Sequence, residues 1–128
     1  MRLLLDTHAL IWWTAGEGPL SETAHAAIAD ETNDIFVSAA SAWEITTKFR
    51  RGKLPSMAGI VADLAGTVSL QGFLPLAFTI AHGQAAGTLP GPRQDPFDRM
   101  LIAQARLDNL IPVSNEIRFD VYCVARLW

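Results

Sequence analysis

Short apolar runs alternate with helix-like stretches along the whole chain, and this alternation restricts the folds open to it. Residues 2–6, RLLLD, set the pattern: Leu3, Leu4 and Leu5 lead straight to Asp6. An unbroken apolar run this short suits a strand covered on both faces, as in a parallel sheet. Residues 34–38, DIFVS, and 111–114, IPVS, read the same way. Strands of this kind separated by helices predict an α/β fold: a central, mostly parallel sheet with helices on both faces.

The intervening segments carry helix signals. Residues 7–15 hold Leu10, Ile11, Trp12 and Trp13 and reach Gly16. GEGP at 16–19 reads as a turn, and Ser21 as the N-cap of an alanine-rich helix over 22–31. Over 40–51, Ala42, Trp43, Ile45, Thr46 and Phe49 form one broad face, the expected buried one, and Ser41, Glu44 and Lys48 share the other. Pro55 begins a looser helical segment near 56–66. FLPL at 73–76 reads as an edge strand because Pro75 lacks an N–H, and 79–87 as a small helix. After the breaker-rich loop LPGPRQDP at 89–96, Asp95 caps a helix over 96–108 that has Pro96 at its first position. The tail is expected to make a helical turn at 119–122 and a last short strand over 124–128.

The 128 residues are expected to form a single domain, 1–128. Half of them are apolar and 18% charged, which argues against disorder. No apolar run approaches the roughly 20 residues of a membrane span, and MRLLL is too short for a secretory signal. The single cysteine, Cys123, excludes an internal disulfide and fits a reducing, cytoplasmic setting. No histidine or cysteine pair has zinc-ligand spacing. The net charge of −3 is unlike that of a protein that merely coats nucleic acid. Lys48, Arg50, Arg51 and Lys53 nevertheless form one basic cluster, which either lines an approach to phosphates or complements a helix C-terminus.

Four carboxylates stand at strand ends or on helices: Asp6, Glu44, Asp98 and Glu116. In open α/β sheets ligands bind beyond the carboxyl ends of the strands, where these residues can converge. Like charges about 4 Å apart repel by roughly 4 kcal/mol per pair at an effective dielectric near 20, so such a cluster needs protons or a divalent cation. Oxygen donors suit magnesium or manganese, and phosphoryl transfer is the chemistry such a site performs. Each acid also has an ordinary reading. Asp6 caps a helix, Glu44 pairs with Lys48 at i, i+4, Asp98 closes a capping box with Asp95, and Glu116 is a solvated turn residue. Ser114 either steadies an acid or satisfies its own turn. Trp12, Trp13, Trp43 and Trp128 are expected in core or interface packing rather than stacked on bases, and His8, His25 and His82 are isolated.

Four blocks in order carry a resemblance across essentially the whole chain: LLLDTHALIWW at 3–13, VSAASAWEITTKFRRGKL at 37–54, DPFDRMLIAQA at 95–105 and VSNEIRFDVY at 113–122. They resemble the PIN-domain family, specifically the VapC-type ribonuclease toxins of toxin–antitoxin pairs. The resemblance implies a three-layer α/β/α fold and a magnesium- or manganese-dependent endoribonuclease yielding a 5′-phosphate. It also implies a homodimer and a cognate antitoxin whose tail enters the acidic site. It makes Asp6, Glu44, Asp98 and Glu116 the catalytic acids, with metal contact chiefly on Asp6 and Asp98. Glu116 stands where the family commonly has aspartate, and its extra methylene suggests an outer, water-bridged position. Lys48 and Arg51 would contact RNA phosphates, and Ser114 would support the acids. Two rival readings are a catalytically inactive PIN-like module used for binding or dimerisation, and a phosphatase using Asp6 as nucleophile. The phosphatase pattern places a second acid two residues on, where this chain has His8.

Overall fold

The computed structural model describes residues 1–91, 95–122 and 124–128; positions 92–94 of the breaker-rich loop and Cys123 lie outside them. The elements run β1 (Arg2–Leu5), α1 (Thr7–Ala15), α2 (Glu22–Ala29), β2 (Asp34–Ser38) and α3 (Ala39–Arg50). A 3-10 turn (Pro55–Met57), α4 (Ala58–Val61), α5 (Leu64–Leu70), β3 (Leu74–Leu76) and α6 (Ile80–Thr88) follow. The chain continues with α7 (Pro96–Leu107), β4 (Ile111–Val113) and a 3-10 segment (Ile117–Tyr122).

All strand pairings are parallel, in the order β3-β2-β1-β4. β1 is therefore central, and Leu3, Leu4 and Leu5 are fully buried. Their alternation feeds two cores. Leu3 and Leu5 join Ile35 and Val37 under α1, α2, α3 and α5, while Leu4 packs with Leu101, Ala105 and Leu110 on the α7 side. Burying each leucine stabilises by about 1.5–3 kcal/mol, so β1 anchors both layers. β3 lies at the sheet edge, as Pro75 requires.

Local capping chemistry sets the helix starts. Asp6, Ser21, Ser38 and Asp95 each accept backbone N–H groups in the first turn of the helix that follows. Gly16 ends α1 in the left-handed region at φ 71°, where a side chain would be strained.

Three expectations are corrected. The segment after Pro55 is two helices, broken where Asp63 caps α5 through Gly66 N–H, and it runs on to Leu70. The final strand reduces to one parallel bridge, Val113 to Leu127. The buried face of α3 is largely the polar one: Ser41 and Glu44 are buried beside Ala40 and Ile45, whereas Trp43 is 60% exposed and Thr46 faces solvent. The polar stripe turns inward because it finds partners there. Thr7 Oγ1 donates to Ser41 Oγ across α1 and α3 at 3.2 Å, and Lys48 Nζ donates to Glu44 at 2.7 Å.

Candidate active site

The chain leaves β1 toward β2 on one side, and β4 returns on the other. This reversal falls at the carboxyl ends of β1 and β4, the place where α/β folds bind ligands. Asp6 follows β1 directly and is 3% exposed. Its N–H continues the ladder to Val113 O at 3.1 Å, and its Oδ1 accepts the Ala9 N–H at 2.7 Å. Capping engages Oδ1 and leaves the second carboxylate oxygen for another partner. Burial pushes the Asp6 pKa up; the Ser114 hydroxyl, the Ala9 N–H and His8 counter that shift, and the charge of Glu116 adds to it.

Next to Asp6 the chain leaves β4 through Ser114, which is fully buried. Its Oγ accepts the Glu116 N–H at 3.0 Å, so this hydroxyl both shapes the turn and favours ionised Asp6. The tail clamps the same residue: Ser114 N–H donates to Leu127 O at 3.2 Å, and Arg126 Nη1 donates to Ser114 O at 2.9 Å. Arg126 is itself held by Asp120 at 3.0 Å. Glu116 then projects from a turn closed by Phe119 N–H on Glu116 O, with the Phe119 ring fully buried beneath.

The third carboxylate comes from α7. Asp95 Oδ1 accepts the Phe97 and Asp98 N–H groups at 2.8 and 3.4 Å, which places Asp98 in the first helical turn. The reciprocal bond of a capping box is not formed among the described residues; Asp98 Oδ2 meets Arg118 Nη2 at 3.4 Å instead. Burial, then the charge of Asp95, raise the Asp98 pKa; Arg118 opposes them, Glu116 and Asp6 add to them, and the result is about 7. Asp6, Asp98 and Glu116 thus lie within electrostatic reach of one another.

Glu44 is buried on α3 and paired with Lys48; on the same helix Ser41 meets Thr7, the residue after Asp6, and Trp43 meets Phe97, the residue before Asp98. Lys48 is correspondingly committed, whereas Arg51 at the end of α3 is exposed. Trp12, Trp13 and Trp128 pack against the main core as expected. Trp43 instead stands in solvent, edge-on to Phe97 at 5.4 Å between ring centroids, a contact that joins α3 to the first turn of α7 beside Glu44 and Asp98.

Sequence reasoning missed Arg118, whose guanidinium lies on two of the acids, and gave Asp95 mainly a capping role, with support of the site as its second. Arg118 follows Glu116 by two residues, a spacing without meaning on a helix; only the 3-10 turn brings the side chains together.

The donor set is all oxygen, and crowding disfavours full ionisation, which fits a hard divalent cation. Among the described residues no three acidic, histidine or cysteine side chains lie close enough to hold an ion by themselves. A cation here would therefore keep several waters, as magnesium does. A cavity of about 500 Å³ lies elsewhere, lined by apolar groups such as Val37, Leu64, Val68 and Phe73, and none of the acids borders it. Among the described residues no helix is long and apolar enough to cross a membrane.

Comparison with known proteins agrees with this architecture. Residues 3–124 match the family model described as PIN domain. No curated protein matches the chain. Among solved structures, the chain is similar to one in the crystal structure of VapBC2 from Rickettsia felis bound to a DNA fragment from their promoter. The TM-score is 0.69 at 17% identity, over 95% of this chain and 93% of that one.

Proposed function

The chain belongs to the PIN-domain family, and from that premise we propose that it is a metal-dependent endoribonuclease of the VapC toxin type, neutralised by a cognate antitoxin. One observation carries this reading: three separate parts of the chain bring Asp6, Asp98 and Glu116 toward the carboxyl ends of β1 and β4, where one Arg118 nitrogen, Nη2, lies 3.4 Å from Asp98 Oδ2 and 2.8 Å from Glu116 Oε2, and Ser114 links the Glu116 turn to Asp6. Ordinary capping and solvation do not require three acids to gather at one rim.

Asp6 and Asp98 would hold magnesium or manganese, with Glu116 outside them bridging through water. Bound there, the ion supplies Lewis acidity toward an RNA phosphodiester and lowers the pKa of the attacking water. The chain contributes the rest. Ser114 favours the ionised form of Asp6 and keeps the Glu116 turn in place. Asp98 carries a proton about half the time near pH 7 without a cation, so loading the site releases it. Glu44 acts as a positioning group on the buried face of α3, where it pairs with Lys48 at 2.7 Å. Arg51, with Arg50 and Lys53, is the cationic group available to flanking phosphates, because Lys48 is engaged. The structural similarity to a VapBC2 chain supports an antitoxin as partner. The exposed Trp43 is consistent with a homodimer or antitoxin contact, and the whole reading places the protein in the cytoplasm.

The test incubates purified protein with a panel of folded RNAs, with and without manganese, beside Asp6→Asn and Asp98→Asn. Cleavage should need metal and vanish in both variants while the fold persists. Undiminished cutting by both variants would show the site assignment to be wrong; absence of cutting by the parent on every RNA would favour the non-catalytic binding module.

A further inference from the structure

Arg118 occupies the place where the acids most need positive charge. Its Nε and Nη2 lie 2.9 and 2.8 Å from the same oxygen, Glu116 Oε2, and Nη2 is also 3.4 Å from Asp98 Oδ2. One guanidinium therefore spans the turn after β4 and the first turn of α7. The contact has an anchored base: Arg118 sits between Glu116, whose carbonyl takes the Phe119 N–H, and the fully buried Phe119 ring. Its head is free to leave, since the side chain is 52% exposed, against 18% for Asp98 and 31% for Glu116.

We propose that Arg118 is a built-in counter-ion of the acid cluster, which holds Asp98 and Glu116 when no cation is bound and must be displaced for a divalent cation to enter. It rests on the metal-site reading above. A guanidinium is a planar, permanently charged donor suited to bridging carboxylates. It donates hydrogen bonds to carboxylate oxygens that a cation or its bound waters would otherwise engage, so the two compete. Each exposed pair is worth at most about fivefold in an equilibrium constant, and the two together give a three- to tenfold handicap to metal entry. The metal-free protein gains stability from the same contacts and loses it when the arginine is removed. Arg118 thus sets the cation concentration at which the site loads, and its effect is on metal affinity rather than on the chemical step.

The experiment measures manganese binding to RNA-free protein, by calorimetry and by the loss of the free-ion EPR signal, for the parent, Arg118→Gln, Arg118→Lys and Asp98→Asn. Thermal melting in chelator and in manganese accompanies it. The expected result is about three- to tenfold tighter manganese binding by Arg118→Gln, a lower melting temperature in chelator, and a larger rise on adding manganese. Arg118→Lys, which keeps the charge but not the fork, should lie between the two. Asp98→Asn should lose binding. Unchanged or weaker binding by Arg118→Gln, with binding still lost in Asp98→Asn, would overturn the counter-ion role and leave the metal site standing. Equal manganese binding by the parent and Asp98→Asn would instead remove the metal-site reading and this proposal with it.

Discussion

Lys48 Nζ lies 2.7 Å from Glu44 Oε2 on α3, and the glutamate it neutralises is buried. An i, i+4 pair on an open helix surface contributes only about 0.3–0.5 kcal/mol. Here one partner has left water, and truncating the other strands a charge. Lys48→Ala should therefore destabilise by about 1–3 kcal/mol at pH 7. Glu44→Gln in the Lys48→Ala background should recover much of that loss. Urea unfolding of the four proteins of this double-mutant cycle gives the coupling directly. A cost below about 0.5 kcal/mol would mean that solvent reaches Glu44 freely.

Asp98 should make the metal-free protein less stable as pH rises. Its carboxyl titrates at about 7 in the folded chain against 3.8 unfolded. Below 3.8 both states are protonated; between 3.8 and about 7 the native state alone keeps the proton. Stability from this group is thus full at low pH and falls through that window, by at most about 1.4 kcal/mol per unit. In chelator, Asp98→Asn should flatten this slope and melt higher than the parent at pH 8, less up to about 1 kcal/mol of helix-terminus stabilisation. Melting curves from pH 4 to 8 with and without manganese check both, and a variant that keeps the parent's slope would assign the titration to another group.

His82 joins α6 to the end of α7. Its Nδ1 accepts the Thr79 N–H at 3.0 Å, Thr79 Oγ1 accepts the His82 N–H at 3.2 Å, and Nε2 faces Asp108 Oδ2 at 2.8 Å. An Nδ1 that accepts cannot carry a proton, so the proton of the neutral ring is on Nε2 and points at Asp108. His82→Ala should cost about 1–3 kcal/mol through an unsatisfied cap and a lost buried partner. His82→Gln, the usual residue of a capping box, should restore part of it. Denaturant midpoints with an unchanged m-value are the measurement, and equal losses for the two variants would rule out the capping contribution.

Trp43 contributes little to the isolated fold despite its size, being 60% exposed and touching Phe97 edge-on. Trp43→Ser should lower stability by no more than about 1.5 kcal/mol, the worth of an aromatic pair. A buried tryptophan would cost roughly 3–5 kcal/mol. Sedimentation of parent and variant across concentration shows whether the ring instead holds two copies together.

Much of the fold was legible because its signals are local. Leu3–Leu5 read as a strand covered on both faces and are one; Ser21 and Asp95 cap the helices expected of them; Pro75 lies on an edge strand. The candidate site was legible in part. Asp6, Asp98 and Glu116 come to one rim, while the pairing of Glu44 with Lys48 was equally legible as an i, i+4 spacing. The face of α3 misled because apolar periodicity presumes an apolar environment. Helix α3 packs beside Thr7 and its own Lys48, and polar partners made burial of Ser41 and Glu44 favourable.

By itself the sequence determined most of the elements and several of their caps, since each depends on residues within a turn or two of one another, and the alternation of strands with helices argued for a parallel sheet. Only the tertiary structure decided which polar side chains would be buried together, that the tail would become a single bridge clamping Ser114, and that Arg118 would rest on Asp98 and Glu116. The reason is the range of the forces involved. Backbone preference and capping act along the chain, whereas desolvation and charge pairing act through space and exist only once distant segments have been packed together.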